Sequence, residues 1–489
     1  MSAPYATLAP VTDVDPSSLV PGDPSAPGLT ANDLARLTGG RLLARSARPV
    51  RGAAVDSRTI EAGQVFVALP GERTDGHVFV ADAVARGAAA LIVTRPVSDP
   101  ASLGDVTIVR VANALSGLGA LAAGWRQRFD LLVVGVTGSI AKTSTKEAVA
   151  SVLARRFRTL RNEGNQNNEI GLPLTVMRIG PEHEAAVLEM GMYVGGELAE
   201  LARIARPQIG LVTAVQPVHL ARIGSLEAIE AAKGELLEAL PRDGTAILNA
   251  DDPIVRRMGR RTIARSLTYG FDASADVTAE GVESAGMAGM RFTLRVEGAR
   301  HAVTIPTLGR LSVHNALAAA AVGLAAGLRL DEIALGLAAG WSAPHRAQLV
   351  RSGGVTLVDD TYNASPRSVV AALDLLAGLP GRRGAVLGEM LELGEASEEA
   401  HRTVGEAAAQ TADWLVVVGR AASPIAAGAV DAGMDPARIV TVPDPDAALT
   451  LLPARLRKGD VVLIKASRGI GLDRLVDGLR QELERGSIG

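Results

Sequence analysis

The segment from Leu131 to Phe157 has the residue types of a phosphate-binding loop between a strand and a helix. The apolar run LLVVGV is typical of a buried strand, and the apolar residues after the loop recur at helical spacing. Free N–H groups at a helix N-terminus attract phosphate, a lysine can reach the terminal phosphates, and a hydroxyl can hold magnesium. The segment therefore predicts a nucleotide site at the phosphate loop, which comprises Thr137, Gly138, Ser139, Ile140, Ala141, Lys142 and Thr143.

The residue before the lysine departs from the usual pattern of such loops. Ala141 stands where glycine is usual, and its Cβ is expected to crowd the phosphate or to strain the turn. The loop also has an ordinary interpretation, as a glycine turn that joins a strand to a helix and binds no nucleotide.

Three polar side chains further along the chain could join this site. Glu189 ends the strand-like run AAVLE, and a carboxylate at the carboxyl end of a parallel strand is well placed to bind magnesium. His219 follows the run GLVTAV, and Lys233 lies in a helix-like segment. A lysine that faces a metal cluster can be desolvated and neutral, and can then react with carbon dioxide to form an anionic carbamate. Taken singly, each residue has an ordinary alternative as a solvated acid, a structural histidine or a solvated lysine.

Other polar segments also follow predicted strands. Asn249 ends the strand of TAILNADD, where an amide could contact a base or a ribose, although the same letters make a good turn. Asp360 and Asn363 belong to DDTYNASP, which follows one strand of the last third of the chain, and LGEMLELG follows the next. Such strand ends favour a ligand-facing edge, and helix N-capping is the alternative.

The elements that must position these residues form three α/β units along the chain. Short apolar runs alternate with helix-like stretches from 28 to 111, from 112 to 340 and from 345 to 489. This pattern predicts a small N-terminal α/β domain, a central domain on a mainly parallel sheet, and a doubly wound C-terminal domain. Residues 1–27 contain six prolines and neither lysine nor arginine, so they lack the features of a signal peptide and predict a disordered tail.

The bulk composition narrows the classes of function. The chain has 489 residues, of which 47% are hydrophobic and 21% charged, with a formal charge of −3. This balance is typical of a soluble globular protein and gives no sign of nucleic-acid binding, and no apolar stretch predicts membrane insertion. The absence of cysteine excludes disulfides and thiolate metal sites, and it suits a cytoplasmic location, which we expect.

Taken together, these motifs resemble the Mur ligase family. The phosphate loop is common to the family, whereas the Asn167-Asn168 pair and DDTYNASP point to one branch of it. The motifs that carry the resemblance are DSRTIEAGQVFVALPGERTDGH at 56–77, TGSIAKTSTKE at 137–147, GNQNNEIGLPLT at 164–175, VLEMGMYVGGEL at 187–198, VHLARIGSLEAIEAAKGEL at 218–236, LNADD at 248–252, VDDTYNASPRS at 358–368, and LGEMLELG at 387–394 with His401.

The resemblance implies a three-domain ligase that uses ATP. Its N-terminal domain would bind a UDP-sugar peptide, its central P-loop-type domain ATP, and its Rossmann-like C-terminal domain the incoming dipeptide. The branch is the one that adds D-alanyl-D-alanine to UDP-N-acetylmuramoyl-tripeptide, which gives the pentapeptide precursor of peptidoglycan. In this family ATP converts the substrate carboxylate to an acyl phosphate, which an amine then attacks, so charge neutralisation and positioning should supply most of the rate. We expect the enzyme to act as a monomer.

The resemblance also implies roles for individual residues. Two Mg²⁺ ions would be held by Thr143, Glu189, His219 and a carbamylated Lys233. The groups that act on the reacting atoms would be Lys142, Glu189, His219, Lys233 and Arg346. Asn249 and Asn315 would lie near the adenine or ribose. The UDP-sugar peptide and the dipeptide would be bound by Ser57, Arg58, Asp75, His77, Asn167, Asn168, Asp360 and Asn363.

Some residues depart from the family pattern, and several of these departures cluster around ATP. Besides Ala141, they are Ala214 in place of asparagine, Leu311-Ser312 in place of a His-Asn pair that here follows as His314-Asn315, and His345 and Ala466 in place of glycines. These departures leave two alternatives open. One is a Mur-type ligase with a different acceptor, and the other is a catalytically weakened relative with a binding or regulatory role.

Overall fold

The structure of the chain is a computed structural model, and it describes residues 28–71, 74–97, 99–217 and 225–486. The predicted disordered tail at 1–27 and the predicted ligand His219 lie outside the described residues. Within the described part of the chain, the strands form three sheets that follow one another in sequence. The α/β fold class predicted from the sequence is confirmed.

The first sheet lies between residues 41 and 110 and is mostly parallel. The elements of this region are α1 (Ala31–Thr38), β1 (Arg41–Ala44), β2 (Ala53–Ala54), β3 (Val65–Val67), α2 (Val80–Ala85), β4 (Ala90–Val93) and β5 (Thr107–Arg110). Their spatial order is β1-β5-β4-β3-β2, with β1 antiparallel to β5. Strands β3 and β4 are apolar and buried along their whole length, as strands covered on both faces require.

The central sheet combines a parallel part with an antiparallel extension. The elements of its region are α3 (Ala114–Arg126), β6 (Leu132–Thr137), α4 (Lys142–Leu153), β7 (Thr159–Arg161), α5 (Gly171–Val176), β8 (Ala185–Glu189), α6 (Glu197–Ala205), β9 (Ile209–Val212), α7 (Leu226–Glu238), β10 (Thr245–Asn249), α8 (Pro253–Arg257), β11 (Arg265–Tyr269), β12 (Val277–Ser284), β13 (Met290–Val296), β14 (Ala299–Ile305), α9 (Arg310–Ala325) and α10 (Leu330–Ala339). The order is β14-β13-β12-β11-β10-β9-β6-β8-β7, and β12, β13 and β14 pair antiparallel. The sequence pattern did not predict this antiparallel extension.

The third sheet belongs to a doubly wound domain, as predicted. The elements of its region are β15 (Gln348–Ser352), β16 (Val355–Asp359), α11 (Pro366–Ala377), β17 (Arg382–Gly388), α12 (Ser397–Thr411), β18 (Trp414–Val418), α13 (Ser423–Asp431), β19 (Ile439–Val442), α14 (Pro445–Arg455), β20 (Asp460–Lys465) and α15 (Leu472–Glu484). The order is β15-β16-β20-β17-β18-β19, and only the β15–β16 pair among these described strands is antiparallel. The sheets lie inside the predicted domain ranges, whose boundaries themselves stay predictions.

Helix α3 joins the cores of the first two domains. Leu118 and Leu121 of this helix are fully buried, in one apolar cluster with Val65 of the first sheet and Val133 of the central sheet. The helix contacts α1 on one side and α5 and α6 on the other. Burial on both sides should hold the two domains together more firmly than a linker would.

Parallel pairing brings four strand ends to one edge of the central sheet. Val136 pairs with Glu189, Thr137 with Val212, and β10 continues the same register beside β9. Ligands collect at the carboxyl ends of such strands, so this edge is where the site should lie. Among the described residues, no helix is both long and apolar enough to cross a membrane.

Candidate active site at the carboxyl ends of the central strands

The phosphate loop is fixed by the end of strand β9. Thr213 donates its hydroxyl to the Ile140 carbonyl at 2.6 Å and its N–H to the Thr137 carbonyl at 2.9 Å. The Ser139 N–H donates to the Ala214 carbonyl at 2.8 Å, so a backbone bond survives where the family's asparagine is missing. The loop is thereby held in one conformation at the N-terminus of α4.

Two residues of the phosphate loop have positive φ. At Gly138, with φ 149°, an added Cβ would lie 1.9 Å from the Thr213 hydroxyl, so only glycine fits. Ala141 has φ 63° and ψ 2°, a left-handed conformation directly before α4. Such a conformation costs a residue with a Cβ about 1–2 kcal/mol. The structure therefore shows the strain that the sequence led us to expect at Ala141.

Lys142 is the first residue of α4 and folds back over the phosphate loop. Its Nζ donates to the Gly138 carbonyl at 2.8 Å. Burial lowers the pKa of this ammonium, the Glu189 carboxylate opposes that effect, and the Arg346 guanidinium adds to it. The charges of Glu189 and Arg346 therefore both act on Lys142. The lysine also lies at the N-terminus of α4, which itself attracts phosphate.

Glu189 is buried at the end of β8, with 2% of its surface exposed. Its Oε1 accepts from Asn167 Nδ2 at 2.7 Å, which places the predicted substrate residue Asn167 against the carboxylate. Asn162 holds the backbone, since its Oδ1 accepts from the Glu189 N–H at 2.9 Å and its Nδ2 donates to the Glu189 carbonyl at 3.0 Å. Oε2 is buried and has no hydrogen-bond partner among the described residues. A fixed carboxylate oxygen without a donor is suited to a cation.

Lys233 is buried in helix α7, with 4% of its surface exposed. Burial lowers the pKa of its ammonium well below the usual range, and repulsion from Lys142 adds to this. Within the described part of the chain, no hydrogen bond or ion pair holds its Nζ. Both effects disfavour the charged form of this side chain.

The oxygen donors at this edge fit magnesium. Glu189 Oε2 and the Thr143 hydroxyl are the kinds of ligand that Mg²⁺ uses together with water and phosphate oxygens. The described residues contain no group of three or more acidic or histidine side chains that could hold a metal. The donor set suits an ion that keeps several waters and completes its shell with nucleotide phosphates.

The third domain contributes Arg346 to this edge. Its Nη2 donates to Thr143 Oγ1 at 3.2 Å, across the boundary between the two domains. The guanidinium lies 4.0 Å from the centroid of the Tyr362 ring, and its Nε is buried without a partner among the described residues. A cation of one domain is thus placed at the phosphate loop of the other.

Asn249, which we predicted to lie near the adenine or ribose, contacts Thr213 and His314 at the same edge of the sheet. Its Nδ2 donates to the Thr213 carbonyl at 2.7 Å, and its Oδ1 lies 3.2 Å from His314 Nε2. The His314 ring lies 5.0 Å from the Tyr269 ring and 5.7 Å from the Phe271 ring, between centroids. His314 therefore occupies the side of the site to which the resemblance assigns adenine.

The other base-side residue, Asn315, has a different environment. It is buried in α9, and its Oδ1 accepts from the Thr145 hydroxyl of α4 at 3.1 Å. Leu311 is half exposed, and the Ser312 hydroxyl donates to the Leu308 carbonyl at 2.6 Å. Asn315 thus links α9 to α4, and its contact with the nucleotide stays a prediction.

In the third domain, Asp360 and Asn363 lie beside Lys465. The Lys465 ammonium donates to Asp360 Oδ2 at 2.6 Å and to the Asn363 carbonyl at 2.8 Å. Asn363 is exposed, whereas Asp360 is mostly buried. Ala466 takes space that Gly388 leaves, because a Cβ on that glycine would lie 2.8 Å from the Ala466 Cβ.

The residues predicted for the UDP-sugar find partners in their own domain. His77 Nδ1 lies 2.6 Å from Asp75 Oδ1, and His77 Nε2 accepts from the Thr94 N–H at 3.0 Å. The exposed Arg58 guanidinium forms an ion pair with Asp56 at 2.6 Å. These contacts all lie within the first domain.

Ser57 and Asn168 also make local contacts. Ser57 is buried, and its hydroxyl helps to lower the pKa of the nearby Asp82 carboxyl. Asn168 Oδ1 accepts from the N–H groups of Ile170 and Gly171 at 3.3 and 2.9 Å, at the start of α5. Capping of this kind is the usual alternative to binding for such residues, and their roles in binding stay predictions.

Sequence reasoning overlooked Asn162 and Thr213, which position the site. Each directly follows a strand of the central sheet, β7 or β9. The rule that singled out Glu189, a polar residue at the carboxyl end of a parallel strand, applies equally to both. The side chains of Asn162 and Thr213 bond backbone groups of the site, a role that depends on the tertiary structure.

Comparison with known families and proteins identifies the class of protein. Three family models match in order along the chain: the Mur ligase family catalytic domain at 49–126, the Mur ligase middle domain at 136–323, and the Mur ligase glutamate ligase domain at 345–468. Together with the relatives described next, they show that the chain belongs to the Mur ligase family.

Individual relatives indicate the branch. The UDP-N-acetylmuramoyl-tripeptide–D-alanyl-D-alanine ligase of Mycobacterium tuberculosis is 40% identical in an alignment 476 positions long, which covers 88% of this chain and 92% of the relative. A crystal structure of MurF from Acinetobacter baumannii matches with a TM-score of 0.82 and 30% identity, over 94% of this chain and 100% of that one. The MurF ligase of Thermotoga maritima in complex with ADP matches with a TM-score of 0.78 and 30% identity, over 89% and 99%.

Proposed function

We propose that this protein joins D-alanyl-D-alanine to UDP-N-acetylmuramoyl-tripeptide, with cleavage of ATP to ADP and phosphate. The product is the UDP-muramoyl-pentapeptide precursor of peptidoglycan. Relatives named for this reaction, 40% identical over most of the chain, support the proposal. The single observation that carries it is the contact of Arg346 with Thr143, because it brings a cation of the third domain to the phosphate loop of the central one. A ligase of this kind must close two domains around reacting groups.

The reaction requires two anions to meet. The tripeptide carboxylate attacks the γ-phosphorus of ATP and ADP leaves; the dipeptide amine then attacks the acyl phosphate, loses a proton and displaces phosphate. Lys142 and Arg346 supply positive charge beside the phosphate loop, and the free N–H groups of α4 add to it. Charge neutralisation and positioning are what these residues offer to the reaction.

Magnesium forms part of this proposal. Thr143 would hold one ion and Glu189 a second, and their charges would offset those of the phosphates. The buried amine of Lys233 would attack carbon dioxide, lose a proton and become a carbamate, an anionic ligand for the second ion. His219, which lies outside the described residues, remains a predicted ligand beside it.

We assign each of the other ligand groups to one domain. The UDP-sugar would lie at the first domain, near Ser57, Arg58 and the loop that carries Asp75 and His77. The dipeptide would lie near Asp360 and Asn363, and adenine near Asn249. We propose that the enzyme works as a monomer in the cytoplasm, where ATP is available.

The test is a coupled assay of phosphate release with defined substrates. We expect release only when ATP, UDP-N-acetylmuramoyl-tripeptide and D-alanyl-D-alanine are all present, with pentapeptide product seen by mass spectrometry. Phosphate release that needs only one of the two substrates besides ATP would contradict the proposal. A screen of other dipeptides at fixed UDP-sugar separates this ligase from one with a different acceptor.

A further inference from the structure

The loop that carries Arg346 has an unusual backbone. His345 and Ala347 have φ of 60° and 49°, in the left-handed region that favours glycine. Arg346 lies between them, and its N–H donates to the Ala343 carbonyl at 3.2 Å. The Ala347 N–H donates to Asp360 Oδ1 at 3.1 Å. A backbone of this kind persists only where the surrounding contacts hold it.

His345 is held by a buried carboxylate. Asp359 is the last residue of β16 and is 2% exposed. Its Oδ1 accepts from the hydroxyl and the N–H of Thr361 at 2.7 and 3.2 Å, and its Oδ2 lies 2.8 Å from His345 Nδ1. A carboxylate only accepts, so the imidazole Nδ1–H is the donor. Without His345, a buried carboxylate oxygen would lose this donor.

The same turn sets the direction of the arginine side chain. The Tyr362 N–H donates to the His345 carbonyl at 3.1 Å, and the Arg346 guanidinium packs 4.0 Å from the centroid of the Tyr362 ring. From there Nη2 reaches Thr143 Oγ1 at 3.2 Å. The histidine, the tyrosine and the arginine thus form one connected unit between the two domains.

We propose that His345 is a positioning residue, whose bond to Asp359 fixes the left-handed turn so that Arg346 is held over the phosphate loop. The family resemblance leads us to expect glycine here. Glycine would adopt the turn without strain, but it could not donate to Asp359. In this chain His345 has a strained backbone, and its hydrogen bond to Asp359 holds it in place. The inference rests on the proposed ligase function, because it is read through Arg346 and ATP.

The test is a cycle of single and double variants of the full-length chain. His345→Ala is expected to lower kcat about ten-fold while KM for ATP changes less, because Arg346 matters most when charge develops at the γ-phosphate. His345→Asn keeps an N–H donor and tolerates a left-handed backbone, so it should restore most of the rate. In an Arg346→Ala background, His345→Ala should cause no further loss.

Glu297→Gly is the matched control for backbone strain. Glu297 also has a positive φ, 47°, but it lies in an exposed hairpin turn between β13 and β14, so kcat should stay unchanged. A loss from His345→Ala that is the same with and without Arg346 would overturn the positioning role, as would no recovery with His345→Asn. Both outcomes would point to general destabilisation, which the Tm would report.

Failure of the ligase function is recognised separately. If the parent protein makes no pentapeptide, the same cycle is measured by calorimetry with magnesium and a non-hydrolysable ATP analogue. His345→Ala should then weaken binding about three-fold in the parent and not at all in Arg346→Ala, a coupling typical of side chains that act together. Absence of this coupling overturns the positioning role, whereas absence of ligation alone overturns only the proposed function.

Discussion

The nucleotide side of the molecule and the first domain differ in how their polar groups are satisfied. At the phosphate loop, Glu189 and Arg346 each keep a buried polar atom that has no partner among the described residues. In the first domain, both ring nitrogens of His77 have partners, and Arg58 pairs with Asp56. Buried polar groups are normally satisfied, so two unpartnered atoms at one strand edge favour a ligand there. The residues predicted for the UDP-sugar instead pair with neighbours in their own domain.

The pKa values of ionisable groups also differ between the two regions. Burial lowers the pKa of Lys142 and of Lys233, which disfavours their charged forms. In the first domain, hydrogen bonds from the Arg58 side chain lower the pKa of Asp56 to about 2, and those from His77 lower the pKa of Asp75, which favours their charged forms. Ionisable groups whose charged form is disfavoured are typical of reactive sites. Charged groups that pair with each other are typical of local structure.

The largest expected effect is at the unpartnered carboxylate. Glu189→Gln keeps the shape and the contact with Asn167 but removes the charge that we expect to hold magnesium. We expect kcat for ligation to fall about a thousand-fold, as for the loss of a group that stabilises the transition state. The assay is phosphate release at saturating substrates, with magnesium titrated in parallel.

The control for this change is Glu182→Gln. Its side chain is 62% exposed and lies just before the same strand, so kcat should not change. Should Glu189→Gln retain more than a tenth of the parent rate, the unpartnered oxygen would not mark the metal site, and the contrast between the two regions would lose its main support.

A smaller loss is expected at the buried amine. Lys233→Ala should lower kcat about a hundred-fold, and formate or acetate should recover part of it, because a small carboxylate can replace the carbamate. The parent protein equilibrated with ¹³C-labelled bicarbonate should show a carbamate carbon resonance that the variant lacks. Lys458→Ala, at an exposed lysine, is the matched control. Full activity of the Lys233 variant would remove the carbamate from the mechanism.

The first domain should respond in stability rather than in catalysis. His77→Ala removes two hydrogen bonds and leaves the Thr94 N–H without its acceptor, so the free energy of unfolding should fall by about 2 kcal/mol. Arg58→Ala, at an exposed ion pair, should leave the Tm nearly unchanged. An unchanged free energy of unfolding in His77→Ala would contradict this prediction, whereas a rise in KM for the UDP-sugar would fit the proposed place of that substrate at the first domain.

The sequence predicts the part of this site that lies at the ends of parallel strands. Glu189 and Asn249 end parallel strands of one sheet, so a rule about its edge places them together without knowledge of any contact. His345 precedes β15 and Asp359 ends β16, and the antiparallel pairing that puts Gln348 opposite Asp359 brings these two residues close together. The orientation of Asn167 toward Glu189 likewise depends on tertiary packing, which no local pattern encodes.

The smallest expected effect is at Ala141, whose methyl group cannot form a hydrogen bond like the one that holds His345. Ala141→Gly should raise the free energy of unfolding by about 1 kcal/mol, since glycine adopts φ 63° without a clashing Cβ, and should lower KM for ATP slightly. Urea unfolding and steady-state kinetics check the two effects. A parent enzyme that already ligates excludes a catalytically weakened relative, and a glycine variant no more stable than the parent would show that the phosphate loop accommodates the alanine. If activity appears only in the glycine variant, the departure at this one position is disabling, and the nucleotide side would then be the region that has lost function.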